Sequence, residues 1–173
     1  VDLEGNSRLV AQGAHPEWLP NSSGIAFLKS DGIYELSLSS NLEPSEEVRV
    51  YTLPPLATPI GWTHNIALSD SGNHAVWTNP VEQSITFFKR EVVRGEVKWR
   101  AKTRVDNVEA FYPIFSDNES RVAVYIQNIA GENVSELRVF DFEDPSRSSF
   151  VADLSDFDDF YTKITDWIMY WGN

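Results

Sequence analysis

Three histidines, a few serines in turn-like clusters and one acidic run are the groups with chemistry to offer in this chain. His15 and His64 flank stretches that read as inner strands, which would let their imidazoles face a central channel; His74 stands apart. No His-x-His or His-Glu-x-x-His spacing occurs and there is no cysteine, so neither zinc nor thiol chemistry is expected. A serine hydrolase needs a sharp Gly-x-Ser-x-Gly turn to expose its nucleophile, and Ser22-Ser23-Gly24 and Asp70-Ser71-Gly72 lack the leading glycine. Asp153, Asp156, Asp158 and Asp159 could gather oxygens around a hard cation, but no glycine or glutamate falls where a calcium loop needs it. A solvated acidic loop is the simpler reading. No catalytic residue, metal or cofactor is therefore expected.

Two further patterns have plain structural readings. Trp18, Trp62, Trp77, Trp99, Phe111, Tyr112, Phe115, Trp167 and Trp171 could form a sugar-stacking surface, yet most sit where a sheet core needs bulk. Asn21, Asn118 and Asn133 each begin an Asn-x-Ser triplet. Turns select Asn and Ser for their own hydrogen-bonding reasons, so glycosylation is left open.

The elements that carry these residues are short strands. Apolar runs are four to eight long, β-branched and aromatic, and bounded by turn residues; helical periodicity is nearly absent. Residues 16–38 show the unit: an apolar strand ending at Trp18, a turn at 20–24, a strand at 25–28, an Asp31-Gly32 turn and a third strand. Asp31-Gly32 is expected to form a two-residue hairpin with positive φ at Gly32. The pattern returns at Leu68-Ser69-Asp70-Ser71-Gly72 and at Phe115-Ser116-Asp117-Asn118. In each copy an apolar residue precedes the turn and another follows nine positions on: Trp18 and Phe27, Leu68 and Trp77, Phe115 and Val124. All six are expected to be buried. The copies lie 50 and 47 residues apart, and an all-strand repeat of that period marks a propeller blade.

The expected fold is thus all-β: a partial β-propeller of about three four-stranded antiparallel blades, plus flanking strands of incomplete blades. The blades fall at residues 14–54, 58–105 and 108–154, with 1–13 as the tail of a preceding blade. Residues 155–173 hold an acidic loop and the first strand of a further blade. In the outer strand at 96–105, Val97, Trp99 and Ala101 alternate with Lys98, Arg100 and Lys102, as an edge with one wet face would.

Composition narrows the partners. The net charge of −12 argues against nucleic acid, which needs a basic face, and against an anionic membrane surface. No apolar run approaches the roughly 20 residues that span a bilayer. No signal peptide is visible, and a chain starting at Val1 is read as processed or as part of something longer.

The stretch Pro16-Glu17-Trp18-Leu19-Pro20-Asn21-Ser22-Ser23-Gly24-Ile25-Ala26-Phe27 resembles the repeat of TolB-like propellers, a Pro-x-Trp-Ser-Pro-Asp-Gly core followed by an apolar strand. Ser69-Asp70-Ser71-Gly72 and Ser116-Asp117-Asn118 match that core with Pro replaced, and Pro113-x-Phe115 repeats the Pro16-x-Trp18 spacing. The resemblance implies a ring of six to eight blades when complete. Such blades occur in periplasmic scaffolds, in secreted binding proteins and in the gating domains of prolyl-oligopeptidase-type serine peptidases. The expectation is a non-enzymatic, protein-binding or scaffolding segment of a larger protein or complex, periplasmic or extracellular. The alternatives are an accessory propeller of such a peptidase, with its catalytic domain elsewhere, and a carbohydrate-binding propeller. A half-ring leaves apolar faces in water, so either a protein partner or the remainder of the same polypeptide is expected to complete it. Ile164, Trp167, Ile168, Tyr170 and Trp171 are the expected contact residues.

Overall fold

The structure, a computed structural model, describes residues 9–41, 43–53 and 65–155. Ile164, Trp167, Ile168, Tyr170 and Trp171, together with His64 and Trp62, lie outside them.

Among the described residues, twelve strands form three four-stranded antiparallel sheets in the order of the sequence. The first is β1 (Ala14–Trp18), β2 (Gly24–Lys29), β3 (Gly32–Ser37) and β4 (Val48–Thr52). The second is β5 (Asn65–Leu68), β6 (His74–Asn79), β7 (Ser84–Val93) and β8 (Glu96–Asp106). The third is β9 (Val108–Phe115), β10 (Arg121–Ile129), β11 (Glu132–Asp141) and β12 (Ser148–Asp153). A single 3-10 turn, Pro20–Ser22, is the one helical element among the described residues. Two hairpins close as type I′ turns, Arg94-Gly95 and Ala130-Gly131, left-handed at both residues as the strand twist requires.

The first hairpin differs from expectation by one residue. Lys29 pairs with Gly32, so Ser30 and Asp31 make the turn, and the left-handed glycines are Gly72, Gly95 and Gly131. Gly32 serves a different need. A Cβ there would lie 2.4 Å from the Tyr51 carbonyl oxygen and 2.9 Å from the Arg49 side chain, so its absence lets β4 come close. Asp31, at the turn, accepts hydrogen bonds from Tyr34 Oη (3.0 Å) and Arg49 Nη1 (2.8 Å).

Each sheet packs face to face on the next. Leu28, Ile33, Val50 and Leu53 of the first sheet and its exit meet Ile66, Ala75, Trp77, Phe88 and Trp99 of the second. On the opposite face of the second sheet, Ala67, Val76, Ile85 and Phe87 meet Val122, Val124, Phe140 and Phe142 of the third and its exit. The middle sheet is therefore buried on both sides, as a blade between two neighbours must be. Of the six repeat residues, Phe27, Trp77, Phe115 and Val124 are buried and Leu68 is partly buried. Trp18 is 61% exposed, contrary to expectation. The reason is positional: Leu68 and Phe115 pack against the preceding sheet, and no described sheet precedes Trp18.

The outer strand β8 keeps its expected alternation only up to Trp99. A register shift at Phe87/Phe88 then turns Ala101 to solvent. Its basic side chains all find acids: Lys98 with Glu96, Arg100 with Glu91, Lys102 with Glu143, and Arg104 with Glu82 and Asp106.

Candidate functional site

The inner strands β1, β5 and β9 bring three repeat-equivalent residues together. His15, Asn65 and Tyr112 each stand three positions before Trp18, Leu68 and Phe115. His15 Nδ1 lies 3.3 Å from Asn65 Nδ2, and the Tyr112 backbone N–H donates to Asn65 Oδ1 across 3.3 Å. One buried amide thus spans all three blades. His15 and Tyr112 are also left-handed, both at φ +50°, and each immediately precedes a proline, in Pro16 and Pro113. Left-handed backbone costs a non-glycine residue about 1–3 kcal/mol, and proline restricts its predecessor further. The register of β1 and β9 breaks at these points. His15 was a sequence candidate for facing the channel. Asn65 and Tyr112 were not, although the shared spacing of Pro16-x-Trp18 and Pro113-x-Phe115 already marked the position after Tyr112.

Glu17 lies beside this group on β1, in one cross-strand row with Ala26 and Glu35 on the face toward the second blade. The equivalent positions, Ala67 and Ile114, are apolar. Burial pushes the Glu17 carboxyl up from 4.5 to about 7. A carboxyl whose folded pKa is raised favours folding while protonated in the folded state. Its contribution is fully present below pH 4.5 and lost as pH rises through about 7. Urea midpoints measured across that window should therefore fall with rising pH, and Glu17→Gln should flatten the decline. A variant that keeps the full slope would place the titration elsewhere. The acid-side loss is separate: hydrogen bonds from Lys102 and then Lys89 lower Glu143 from 4.5 to about 2, so its contribution is full above pH 4.5 and is lost as pH falls from there through about 2.

A second polar cluster joins the turns of the second and third blades. Glu119 accepts from the Ser71 backbone N–H (2.5 Å) and from Ser71 Oγ (2.7 Å). His74 Nδ1 lies 3.4 Å from Glu119 Oε2 without hydrogen-bond geometry, and its ring lies 4.2 Å from that of Phe142. Burial lowers the His74 pKa, and the nearby Glu119 only partly offsets this. Burial also works against the Glu119 carboxylate, but the two Ser71 hydrogen bonds, with Ser69 and the nearby His74 adding to them, hold the group below its ordinary range. Serine, histidine and glutamate meet here, yet Ser71 donates to the carboxylate and not to the imidazole. Nucleophilic catalysis needs the reverse order, serine to base to acid. The arrangement is a latch between blades. A third tie, between the first and second blades, is Glu35, which accepts from Trp99 Nε1 (2.7 Å) and Arg90 Nη2 (2.9 Å).

The remaining candidates are accounted for by local structure. Asn118 Oδ1 accepts from Ser116 Oγ, Ser120 N and Ser120 Oγ, which is turn chemistry, and Asn133 Oδ1 accepts from Asn128 Nδ2. Asp153 accepts from the Ser155 N–H; Asp156, Asp158 and Asp159 lie outside the described residues. Among the described residues no group of three His, Cys, Asp or Glu is placed to hold a metal. No described helix is long and apolar enough to cross a membrane.

No protein-family model matches the sequence, and no curated protein matches it. Solved structures do. The β-propeller domain of Cps50 (Swd1) from Myceliophteria thermophila aligns at TM-score 0.53 and 14% identity over 83% of this chain and 43% of its own. A protein from Lactobacillus plantarum aligns at 0.51 and 12% identity, over 81% and 40%. A putative 6-phosphogluconolactonase from Bacteroides uniformis aligns at 0.51 and 10%, over 80% and 39%. The chain thus spans about two fifths of the length of each. At these identities the likeness concerns the fold alone. Together with three successive four-stranded antiparallel sheets packed face to face, it makes the fold of this chain a partial β-propeller.

Proposed function

We propose that the chain is a non-enzymatic propeller segment that binds or scaffolds another protein, within a larger protein or complex. The observation that carries this reading is how its reactive side chains are used. Ser71 and Glu119 latch one blade turn to the next, and Asn65 joins three inner strands. Polar groups spent on holding blades together leave the blade surfaces to do the work by contact. The resemblance of residues 16–27 to the TolB-like repeat favours a periplasmic or extracellular scaffold as the setting.

Peptide, ester and lactone substrates offered to the purified chain should all remain unhydrolysed. Turnover that survives purification and disappears in Ser71→Ala or His74→Ala would overturn the reading. On the binding side, cross-linking of the native protein followed by peptide mapping should join this chain to one defined partner protein. Finding intermolecular links to no protein would count equally against it.

A further inference from the structure

The second sheet contains more strand than its own blade uses. The last pair between β6 and β7 is His74 with Lys89, and just beyond it the Arg90 N–H donates to the Asn73 carbonyl oxygen. The β7–β8 ladder runs on, through Glu91 with Lys98, Val92 with Val97 and Val93 with Glu96, to the Arg94-Gly95 turn. These three rows make a two-stranded ribbon roughly 10 Å long, with no described strand on either edge. The other two sheets have no such overhang. In the first, β2 pairs Gly24 with Ser37, past the last β3–β4 pair of Glu35 with Val48. In the third, β10 pairs Arg121 with Asp141, past Phe140 with Ser148. An unsupported two-stranded ribbon is marginal in water, and this one exposes Val92 (72%) and Val93 (42%) on its opposite faces. Blade packing does not require it.

The same hairpin gathers the cations of an acidic chain. Residues 89–104 contain seven of the 14 Lys and Arg and two of the 26 Asp and Glu, a net charge of +5 that leaves −17 on the rest. At its root these cations are held by acids of the body: Lys89 and Lys102 by Glu143, Arg90 by Glu35 and Arg104 by Glu82. At the tip they are not. Arg94 stands exposed at the turn. Lys98 pairs with Glu96 at 3.1 Å and Arg100 with Glu91 at 3.8 Å, both within the hairpin, and the two cations are 55% and 76% exposed. Water screens such pairs, so another carboxylate can take either cation at little cost.

We propose that the β7–β8 ribbon docks an acidic, extended segment of the partner protein, whose carboxylates meet Arg94, Lys98 and Arg100 and whose apolar side chains cover Val92 and Val93. This rests on the protein-binding reading above. Charge complementarity selects the occupant. Nucleic acids and anionic lipid surfaces are also negative, but they are broad and would be brought up against the −17 of the remaining chain, whereas a short segment touches the ribbon alone.

Fluorescence anisotropy of the purified protein with a labelled peptide of alternating glutamate and valine tests the surface. The peptide should bind, and its Kd should rise as salt is added. Arg94→Gln, Lys98→Gln and Arg100→Gln combined should weaken binding by about tenfold or more at an unchanged melting temperature, since all three side chains are exposed. Val92→Ser with Val93→Ser should weaken it at every salt concentration. Absence of peptide binding, or equal binding by the charge variant, overturns the proposal. So does tighter binding of duplex DNA or phosphatidylserine vesicles that the charge variant abolishes. Self-association lost in that variant would make a second copy the occupant and overturn it as well. In the cross-linking of the native protein, links to the partner should include Lys98. Partner links that map only elsewhere would overturn this surface and leave the binding function standing, whereas peptide binding with no cross-linked partner would defeat the function and leave the chemistry of the ribbon standing.

Discussion

Truncating Trp77 to alanine should lower the unfolding free energy by about 3–5 kcal/mol, whereas Trp18→Ala should change it by only about 0.5 kcal/mol. The two tryptophans lie in related repeat positions, yet their surroundings differ. Trp77 is 2% exposed and is enclosed by Leu28, Ile33, Phe88 and Trp99 from both sides of the first blade interface. Removing an indole there leaves a cavity that two packed sheets cannot fill without shifting as wholes. Trp18 has no described neighbour on its open side. Urea midpoints of the two variants at constant m-value decide the matter. Equal losses would mean that Trp18 is held by contacts in the folded chain and that the direction assigned to the repeat pair is wrong.

Glu35→Ala should cost about 2–3 kcal/mol, because it strips the acceptor from two donors at the same interface. Trp99 is 3% exposed, so its Nε1–H, now bonded to Glu35, would be buried with nothing to meet. Arg90 would lose its carboxylate partner as well. Glu35→Gln keeps an oxygen for Trp99 and should lose less. The Asp31–Arg49 pair is the internal control: about half exposed on both sides and screened by water, it should lose clearly less when Arg49 is replaced by alanine. Denaturation of the three variants side by side gives the ranking. A Glu35→Ala loss no larger than that of Arg49→Ala would remove Glu35 from its place as a tie between blades.

Local pattern carried the strands well. The strand ending at Trp18 and the strand read at 25–28 are both present, as Ala14–Trp18 and Gly24–Lys29, because alternation and turn residues are local properties and both acted in agreement. The hairpin at Ser30-Asp31 slipped by one residue, since Asp-Gly is as suitable for a close approach to a neighbouring strand as for a turn, and only the position of Tyr51 distinguishes the two. Trp18 shows another limit. Its pattern marks it as a packing residue, but which body it packs against is not written in its own neighbourhood. The ties between blades were least legible. Glu35 meets Trp99 64 residues later and Asn65 meets His15 50 residues earlier, and nothing local to any of them announces the match. The Glu119–Ser71 latch was within reach, since both belong to the repeated turn, once one knows that successive turns touch.

Among the described residues strand pairing never skips: every ladder joins strands adjacent in sequence, and the passage from the second sheet to the third is Asn107 alone. During synthesis each sheet can therefore form as soon as its own 39 to 46 residues have emerged, without waiting for distant chain. The same layout governs what a protease can do. A cut at Asn107, where the backbone is left-handed at φ +61°, would sever no hydrogen-bonded ladder. The two pieces would stay joined by the Phe87–Phe142 core and by the Lys89 and Lys102 bonds to Glu143, so nicked material would still sediment as one body. Chain continuity and structural continuity are separate properties in this fold, and a library of split sites between sheets would find complementing fragments where splits within a sheet would not.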